Sequence, residues 1–371
     1  MTALCATTFA YGGGCPRVAD WPADVNVLDL FVCVDDGYFP PDLGPWETMD
    51  ADTLGWDTSL LPGLYNYLEM ENSRAFVVLY HGRIVLEQYW GLNLSGNPFD
   101  ADSYWYWASA AKTLTTALVG IAQQQGHLAL DDATSTYLGE GWSSLTPSEE
   151  WAITIRHQIT MTTGLDDSVA DPYCTDPACL TYLAEPGTRW AYHNGPYTLL
   201  DGVIVNATGI PFNTYFNQNL RNPIGMTGFW IYSGFNHVYN STPRDMARFG
   251  HLILNGGTWD GVAVIDDNVF VQEMTTPSQS LNPSYGYLWW LNGQDLFMVP
   301  GIQFQFEGPL TPGAPDDMVA AMGKNGQLIN VVPSLGLVVV RMGENPSQSL
   351  IPLMFQNQMW DTLIQVVCPT D

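Results

Sequence analysis

The stretch "YWASAAKTLTT" at residues 106–116 places a lysine three residues after a serine. Side chains at positions i and i+3 of a helix lie on one face, so the amine of Lys112 can reach the hydroxyl of Ser109. A serine hydroxyl is a weak nucleophile at neutral pH and needs a neighbouring base. A lysine serves as that base when burial or a nearby cation favours its neutral form. The pair therefore predicts nucleophilic catalysis by an activated serine.

The chain contains only two lysines, and the second is Lys324 in "MGKNGQL". By chance, a serine stands three residues before one of two lysines in roughly one sequence in seven. The pair alone is therefore a weak signal, and the other candidate residues decide how much weight it carries.

The stretch "RWAYHNGPY" supplies Tyr192 and Asn194, two residues apart. In a loop, both side chains can point into one cleft. The phenol can then relay a proton, and the amide can hold a substrate carbonyl and the lysine. The alternative is a "HNG" turn with an aromatic residue packed behind it. His193 is expected to have a packing or rim role.

The stretch "GKNGQL" places Lys324 at the start of a predicted strand. There Lys324 can stabilise a tyrosinate or a substrate carboxylate, and Gly326 allows a substrate backbone to come close. We expect the backbone amide of Gln327 to lie on the exposed edge of that strand. The alternative is a simple hairpin turn, because Asn-Gly is a strong turn signal.

The elements that position these residues follow from hydrophobic patterns. Residues 75–90 read as two strands around a His-Gly turn. Apolar residues after Ser109 recur at helical spacing up to a stop near Gly126. The last part of the chain reads as three strands and a closing helix: "MVAAMG", "QLINVVP", "LGLVVVRMG" and "LMFQNQMWDTLIQVV".

Strands at both ends with helices between them predict an α+β fold. We expect an antiparallel sheet, flanked by helices and built from both chain ends, with an all-helical inserted domain. The predicted parts are an irregular N-terminal extension (1–70), an α/β domain (71–104 plus 285–371) and a mainly helical domain (105–284). The site would lie between the last two.

Composition excludes several function classes. Charged residues make up 13% of the 371 residues, yet the formal net charge is −27. A general nucleic-acid binder needs a basic footprint, so nucleic acid is excluded as a partner. The longest apolar runs are too short to span a bilayer. The six histidines lack metal-site spacing, so no metal and no other cofactor is expected. The sequence leaves the oligomeric state open.

Six cysteines stand at positions 5, 15, 33, 174, 179 and 368. Their even number suggests disulfides in an oxidising compartment, and therefore a secreted or periplasmic protein. A bond between Cys174 and Cys179 is the simplest pairing, followed by a link from the N-terminal region to Cys368. The alternative is a set of buried free thiols. The loop 166–187 around the close pair is predicted to be a stiffened lid or a plain surface loop.

Ser-x-x-Lys, Tyr-x-Asn and Lys-x-Gly occur here in the order found in penicillin-recognising serine enzymes. The chain resembles the β-lactamase/penicillin-binding-protein superfamily over about residues 70–365. It is most similar to the class C β-lactamase-like branch, which includes esterases, D-peptidases and 6-aminohexanoate-dimer hydrolases. Further stretches carry the resemblance: "TLTTALVGIA", "LALDDATSTYL", "IRHQITMTTGL", "EPGTRWAYHNGPYTLLDGVI", "RDMARFGHLILNGGTWDG" and "YGYLWWL".

The resemblance implies a role for each site residue. Ser109 would be the acylated nucleophile and Lys112 its base partner. Tyr192 would be a general base or acid whose electrostatics Lys324 tunes. Asn194 would position the substrate. The oxyanion hole would be formed by the backbone amides of Ser109 and Gln327.

We therefore expect a serine hydrolase, a carboxylesterase or amidase, that cleaves small-molecule esters or amides through an acyl-enzyme. One alternative is a D-peptidase or β-lactamase. However, Gln327 stands where relatives have a small hydroxyl residue, which counts against efficient β-lactam turnover. An alternative of another class is a catalytically silent binding protein with the same fold.

Overall fold

The computed structural model describes residues 37–369 apart from 267 and 347–350. Its strands, in chain order, are β1 (Ser73–Tyr80), β2 (Arg83–Tyr89), β3 (Trp105–Tyr106), β4 (Phe229–Ser233), β5 (Asn236–Ser241), β6 (Thr258–Trp259), β7 (Val262–Ala263), β8 (Trp290–Leu291), β9 (Leu296–Phe297), β10 (Phe306–Glu307), β11 (Val319–Gly323), β12 (Gln327–Val332) and β13 (Leu337–Gly343).

The α-helices, in the same order, are α1 (Leu61–Met70), α2 (Lys112–Gln124), α3 (Ser135–Leu138), α4 (Pro147–Ala152), α5 (Ile155–Ile159), α6 (Asn194–Thr198), α7 (Leu200–Thr208), α8 (Phe212–Phe216), α9 (Pro243–Leu254), α10 (Asn268–Met274) and α11 (Leu353–Val367). Among the described helices, none has the length and apolar character needed to cross a membrane.

A six-stranded sheet forms the centre of the fold, in the order β2-β1-β13-β12-β11-β8. Every pair of neighbouring strands is antiparallel. Strand β1 pairs with β13, so the N-terminal hairpin completes a sheet whose other strands come from the end of the chain. The predicted α+β class, with a sheet built from both chain ends, is confirmed.

Helices cover both faces of this sheet, which is why its central strands are continuous apolar runs. On one face, α9 packs so closely that a Cβ on Gly250 would lie 2.5 Å from Val338 and 2.8 Å from Ile329. On the other face, Trp360 of α11 donates its indole N–H to Asn330 of β12 at 3.2 Å. Strands β12 and β13 are buried along their full length.

Residues 61–70 form helix α1, although the sequence prediction placed them in an irregular extension. Leu64 and Leu68 lie one turn apart and are fully buried, and Pro62 occupies a position in the first turn where its missing N–H costs nothing. Two apolar positions are too few to reveal a helix by periodicity. The cysteines at positions 5, 15 and 33 lie outside the described residues. The predicted link from the N-terminal region to Cys368 therefore stays a prediction.

The inserted region between β2 and β8 is mainly helical, and it also contains a small antiparallel sheet in the order β3-β5-β4. Trp105 of β3 pairs with Ser241 of β5, immediately before the stretch that contains Ser109. A strand of two residues has no detectable period, so the sequence could not predict it. This small sheet fixes the chain where it enters the candidate site.

Candidate active site

Ser109 lies in a 3₁₀ turn, Ala108–Ala111, that leads directly into α2. Ala108 adopts a left-handed backbone conformation with φ of 48°. For a residue with a Cβ this conformation costs on the order of 1–2 kcal/mol, and such strain tends to occur at active sites. The turn is therefore held in place by its surroundings.

Strand β11 contacts this turn through Gly323. A Cβ on Gly323 would lie 2.4 Å from the carbonyl oxygen of Trp107 and 3.0 Å from the amide nitrogen of Ala110. Only glycine lets the backbones approach so closely. The Cα atoms of the turn Lys324–Gly326 also come within 8 Å of those in the serine turn. The end of β11 thus forms one wall beside Ser109.

We expect Gly323→Ala to lower kcat/KM by at least about tenfold, because the new methyl group must push the serine turn away from β11. Unfolding in urea should also show a loss of roughly 2 kcal/mol in stability. Gly63→Ala is the matched control, since a Cβ on Gly63 meets nothing within 4 Å. Normal activity and stability in Gly323→Ala would contradict this packing argument.

Ser109 and Lys112 are in direct contact. The Lys112 Nζ donates to the Ser109 Oγ at 3.0 Å. Only 5% of Lys112 is exposed, and this burial lowers the pKa of its amine to about 7. A substantial fraction of the amine is therefore neutral at physiological pH and able to accept a proton.

Two tyrosine rings enclose the Lys112 amine. Its Nζ lies 4.4 Å from the ring centroid of Tyr197 and 5.2 Å from that of Tyr192. The Tyr197 hydroxyl is held by Thr115 of α2 at 3.1 Å. Cation–π contacts favour the charged amine, whereas burial, the cause of the lowered pKa, favours the neutral amine.

Tyr192 also lies close to Ser109. Its ring stacks on Trp290, with centroids 5.9 Å apart and an interplanar angle of 16°. Burial raises the pKa of the phenol well above its ordinary value, and a hydrogen bond with Ser109 opposes that shift. The hydroxyl is therefore protonated at neutral pH, so Tyr192 enters any reaction as a proton donor or relay.

His193 and Asn194 follow Tyr192 into the first turn of α6. His193 is 1% exposed, so it packs in the interior and does not lie at a rim. Burial lowers its pKa to about 4, and the ring is neutral at physiological pH. Asn194 is also buried, and its side-chain oxygen has no hydrogen-bond partner among the described residues.

Lys324 is an exposed cation on the turn between β11 and β12. No hydrogen bond joins Lys324 to Tyr192 within the described part of the chain. The pKa of Tyr192 is shifted by burial, by Ser109 and by Tyr173, and Lys324 is not among the causes. The structure brings the Lys324 backbone to the serine turn but does not show a contact between its amine and Tyr192.

The turn that contains Lys324 is anchored by two residues whose roles were not predicted. Asn325, which has a left-handed φ of 65°, donates its side-chain amide to the Tyr106 hydroxyl at 2.7 Å. Fully buried Arg341 of β13 donates to the backbone oxygens of Asn325 and Gly326 at 2.6 and 3.1 Å. Burial lowers the pKa of Arg341 to about 9. In the sequence, the only sign of this role is that Arg341 is a single arginine within the apolar strand β13.

The sequence analysis placed Gln327 on an exposed strand edge, but the structure places it in the interior. It is fully buried, and its strand β12 runs between β11 and β13. Its side-chain amide donates to the Gly343 oxygen at 2.6 Å and accepts from the Gly343 N–H at 3.1 Å. This pair of hydrogen bonds ties β12 to β13 and makes the Gln327 side chain structural.

The loop 166–187 packs against the Tyr-x-Asn segment. The predicted disulfide between Cys174 and Cys179 is present, and the Gly195 N–H donates to the Pro172 oxygen at 2.9 Å. Tyr173 affects the pKa of Tyr192 and so lies near the site. Tyr182 donates its hydroxyl hydrogen to Glu185 at the surface. The described residues contain no group of three or more histidine, cysteine, aspartate or glutamate side chains suited to a metal ion.

Comparisons of the sequence with known proteins show the family of this chain. The sequence profile of the family described as Beta-lactamase matches residues 69–343. An uncharacterised protein of Alkalihalophilus pseudofirmus is 26% identical over 298 residues, which cover 71% of this chain and 81% of that protein. The Beta-lactamase of Escherichia coli is 28% identical over 130 residues, or 33% of each chain.

Solved structures show the same fold. A Bacillus anthracis protein provisionally named a 6-aminohexanoate-dimer hydrolase superimposes with a TM-score of 0.67. The identity is 19%, and the match covers 90% of this chain and 91% of that one. A penicillin-binding protein homologue from Caulobacter crescentus has a TM-score of 0.64 at 14% identity, covering 82% of this chain and 96% of that one. The profile match spans more than half of the chain and includes all three motifs, so this protein belongs to the β-lactamase family, as a class C-like member.

Proposed function

We propose that this protein is a serine hydrolase that cleaves small ester or amide bonds through an acyl-enzyme on Ser109. The observation that carries the proposal is the 3.0 Å hydrogen bond between Lys112 Nζ and Ser109 Oγ, combined with a lysine pKa of about 7. A base with a pKa near the working pH is the most effective proton acceptor. The retained Ser–Lys contact also argues against a catalytically silent protein.

In the acylation step, the Ser109 Oγ attacks the substrate carbonyl carbon and its proton passes to the neutral Lys112 amine. The carbonyl π electrons move to oxygen and return when the bond to the leaving group breaks. The leaving oxygen or nitrogen takes a proton from the Tyr192 hydroxyl, and the Lys112 ammonium returns a proton to Tyr192. Water then attacks the acyl carbon and passes a proton to the neutral Lys112 amine. The carbonyl re-forms as the bond to the Ser109 Oγ breaks, and the Lys112 ammonium returns the proton to that oxygen. The carboxylic acid leaves and the serine is free again.

The oxyanion requires two backbone donors, and the buried position of Gln327 changes the expected pair. Ser109 supplies one N–H. On the strand side, Gly323 and Lys324 lie against the serine turn, whereas Gln327 lies at the start of the next strand. We therefore place the second donor at the Lys324 backbone N–H. Losing one such donor typically costs about 3–4 kcal/mol of transition-state stabilisation.

Within this proposal, esters are the preferred substrates over amides, because alkoxides leave more easily than amines. Asn194 would hold the substrate carbonyl by donating from its side-chain amide N–H₂, and exposed Lys324 would attract a carbonyl or carboxylate. The Cys174–Cys179 disulfide supports a working location outside the cytoplasm, secreted or periplasmic.

A second candidate is a D-peptidase or β-lactamase activity. It is favoured by the Escherichia coli Beta-lactamase and a Bacillus subtilis relative named as a penicillin-binding protein, which is 25% identical over 191 residues. The 191 matched residues cover 48% of this chain and 45% of the Bacillus subtilis protein. A stable acyl adduct with penicillin, detected by mass spectrometry, would support this candidate over the esterase.

The test is the pH dependence of p-nitrophenyl butyrate hydrolysis. We expect kcat/KM to rise as Lys112 loses its proton, with a midpoint near pH 7 set by the lowered pKa of its amine. The rate should then stay level to about pH 10, because burial keeps the Tyr192 phenol protonated there. No turnover at any pH would count against the esterase proposal. Turnover that falls as the pH rises through 7 would contradict the role of Lys112.

A further inference from the structure

The disulfide between Cys174 and Cys179 closes a small ring within the loop 166–187. The N–H of Cys174 donates to the Asp171 oxygen at 3.1 Å, and the N–H of Cys179 donates to the Asp176 oxygen at 2.9 Å. Cys174 is 4% exposed, whereas Cys179 is only partly buried. A dissolved thiol therefore reaches the disulfide from the Cys179 side.

One end of this ring is anchored in the interior. Leu180, which follows Cys179, is fully buried in a small apolar cluster with Trp142, Ile153 and Leu165. Its backbone oxygen accepts from the N–H and from the hydroxyl of Ser144, both at 3.1 Å. Through the disulfide, Cys174 is tied to a residue that cannot move freely.

Both ends of the ring contact the start of α6 at one glycine. The Gly195 N–H donates to the oxygen of Pro172, two residues before Cys174, at 2.9 Å. A Cβ on Gly195 would lie 2.5 Å from the Cys174 oxygen and 3.1 Å from the Leu180 Cδ2 atom. Only a glycine leaves room for this contact.

The first turn of α6 depends on this contact for its support. The helix has only five residues, Asn194–Thr198, and a helix so short is held mainly by tertiary packing. Among the described residues, no side chain caps its first turn, where free N–H groups need acceptors. The Pro172 oxygen supplies one of these acceptors. Tyr192 immediately precedes this turn, so its placement depends on the same contact.

We propose that the Cys174–Cys179 disulfide is a positioning element for Tyr192, and that a dithiol which opens it slows proton donation to the leaving group. The inference rests on the proposed function, in which the Tyr192 hydroxyl gives its proton to the leaving oxygen. Without the disulfide, the Cys174 end of the ring is no longer tied to Leu180. The first turn of α6 then loses its fixed support.

Opening the ring is a thiol–disulfide exchange. A thiolate of the dithiol attacks the Cys179 sulfur, and the S–S bond breaks with its electron pair on the Cys174 sulfur. The second thiol of the reagent then attacks the mixed disulfide and releases the Cys179 sulfur. The protein disulfide is thus reduced to two thiols while the dithiol is oxidised to a cyclic disulfide.

The test compares two butyrate esters whose leaving groups differ in their need for a proton. p-Nitrophenolate leaves as a stable anion, whereas ethoxide needs a proton donor. In the Cys174→Ala/Cys179→Ala double variant, we expect kcat/KM for ethyl butyrate to fall at least about tenfold more than that for p-nitrophenyl butyrate. Cys368→Ala is the matched control. It removes a cysteine at the end of α11 and should leave the ratio of the two values unchanged.

Dithiothreitol should change this ratio in the parent in the same direction, and reoxidation should restore it. The ratio in the double variant should not respond to dithiothreitol. A ratio that is equal in the parent and the double variant would overturn the positioning role, while the hydrolase proposal would stand.

Hydrogen exchange at the Gly195 N–H tests the same support without a substrate. We expect exchange at least about tenfold faster in the double variant, because the Pro172 oxygen is no longer held in place. Equal exchange in the two proteins rejects the proposal. If the parent hydrolyses neither ester, the hydrolase proposal fails, and faster exchange in the double variant still shows that the disulfide holds this segment.

Discussion

Replacing Ser109 with alanine is expected to lower kcat/KM for p-nitrophenyl butyrate by at least about a thousandfold. The hydroxyl is the only group on the serine turn that can form the acyl-enzyme, and it is the hydrogen-bond partner of Lys112. The substitution removes one oxygen atom, so the fold should be unaffected. Intact-protein mass spectrometry should show an added butyryl group on the parent during turnover and none on Ser109→Ala.

Ser148→Ala provides the matched control, since Ser148 is an exposed serine on α4 far along the chain from the motifs. It should retain full activity. Turnover by Ser109→Ala at the parent rate would mean that another nucleophile is responsible, and the three-motif interpretation would then fail. An acyl adduct that persists on Ser109→Ala would lead to the same conclusion.

The second large effect is expected from Lys112→Met, which should lower kcat by about 10²–10⁴-fold, because the variant has no general base. The same change should stabilise the fold. Burial lowers the pKa of the amine from an ordinary value of 10.5 to about 7, so the folded protein binds this proton more weakly than the unfolded chain does. The resulting destabilisation is complete below about pH 7 and fades as the pH rises toward 10.5.

Urea unfolding at pH 6 and pH 10 measures this second effect. We expect Lys112→Met to gain roughly 1–3 kcal/mol at pH 6 and markedly less at pH 10. Lys324→Met is the control for stability, because that lysine is exposed and its replacement should change the free energy of unfolding by under about 0.5 kcal/mol. A Lys112 variant that is less stable than the parent at pH 6 would contradict a buried, easily deprotonated amine.

Much of the fold could be predicted from local patterns. The strands near residues 75–90 and 319–343 and the closing helix Leu353–Val367 appear where the hydrophobic runs place them. These runs are long and strongly apolar because helices cover both faces of the sheet. Helix α1 was missed because it has only two buried leucines, and strand β3 because it has only two residues. Neither is enough to show a hydrophobic period.

The candidate site divides in the same way. Spacing along the chain was enough to relate Ser109 to Lys112, because three residues in a helical turn bring two side chains together. The sequence also selected the segments of Tyr192 and Lys324, which the fold then brings to the serine turn. It could not show that Gln327 is buried, because which strand lies at the edge depends on sheet order.

The sequence alone determined the family, the sheet-forming ends of the chain and the residue types available for chemistry, since these follow from composition, order and local spacing. Only the tertiary structure decided the pKa of Lys112, the approach of β11 that Gly323 permits and the anchoring of the Lys324 turn by Arg341. Each of these depends on burial or on contacts between segments far apart in the chain. Such distances are set by packing, and no pattern of neighbouring residues records them.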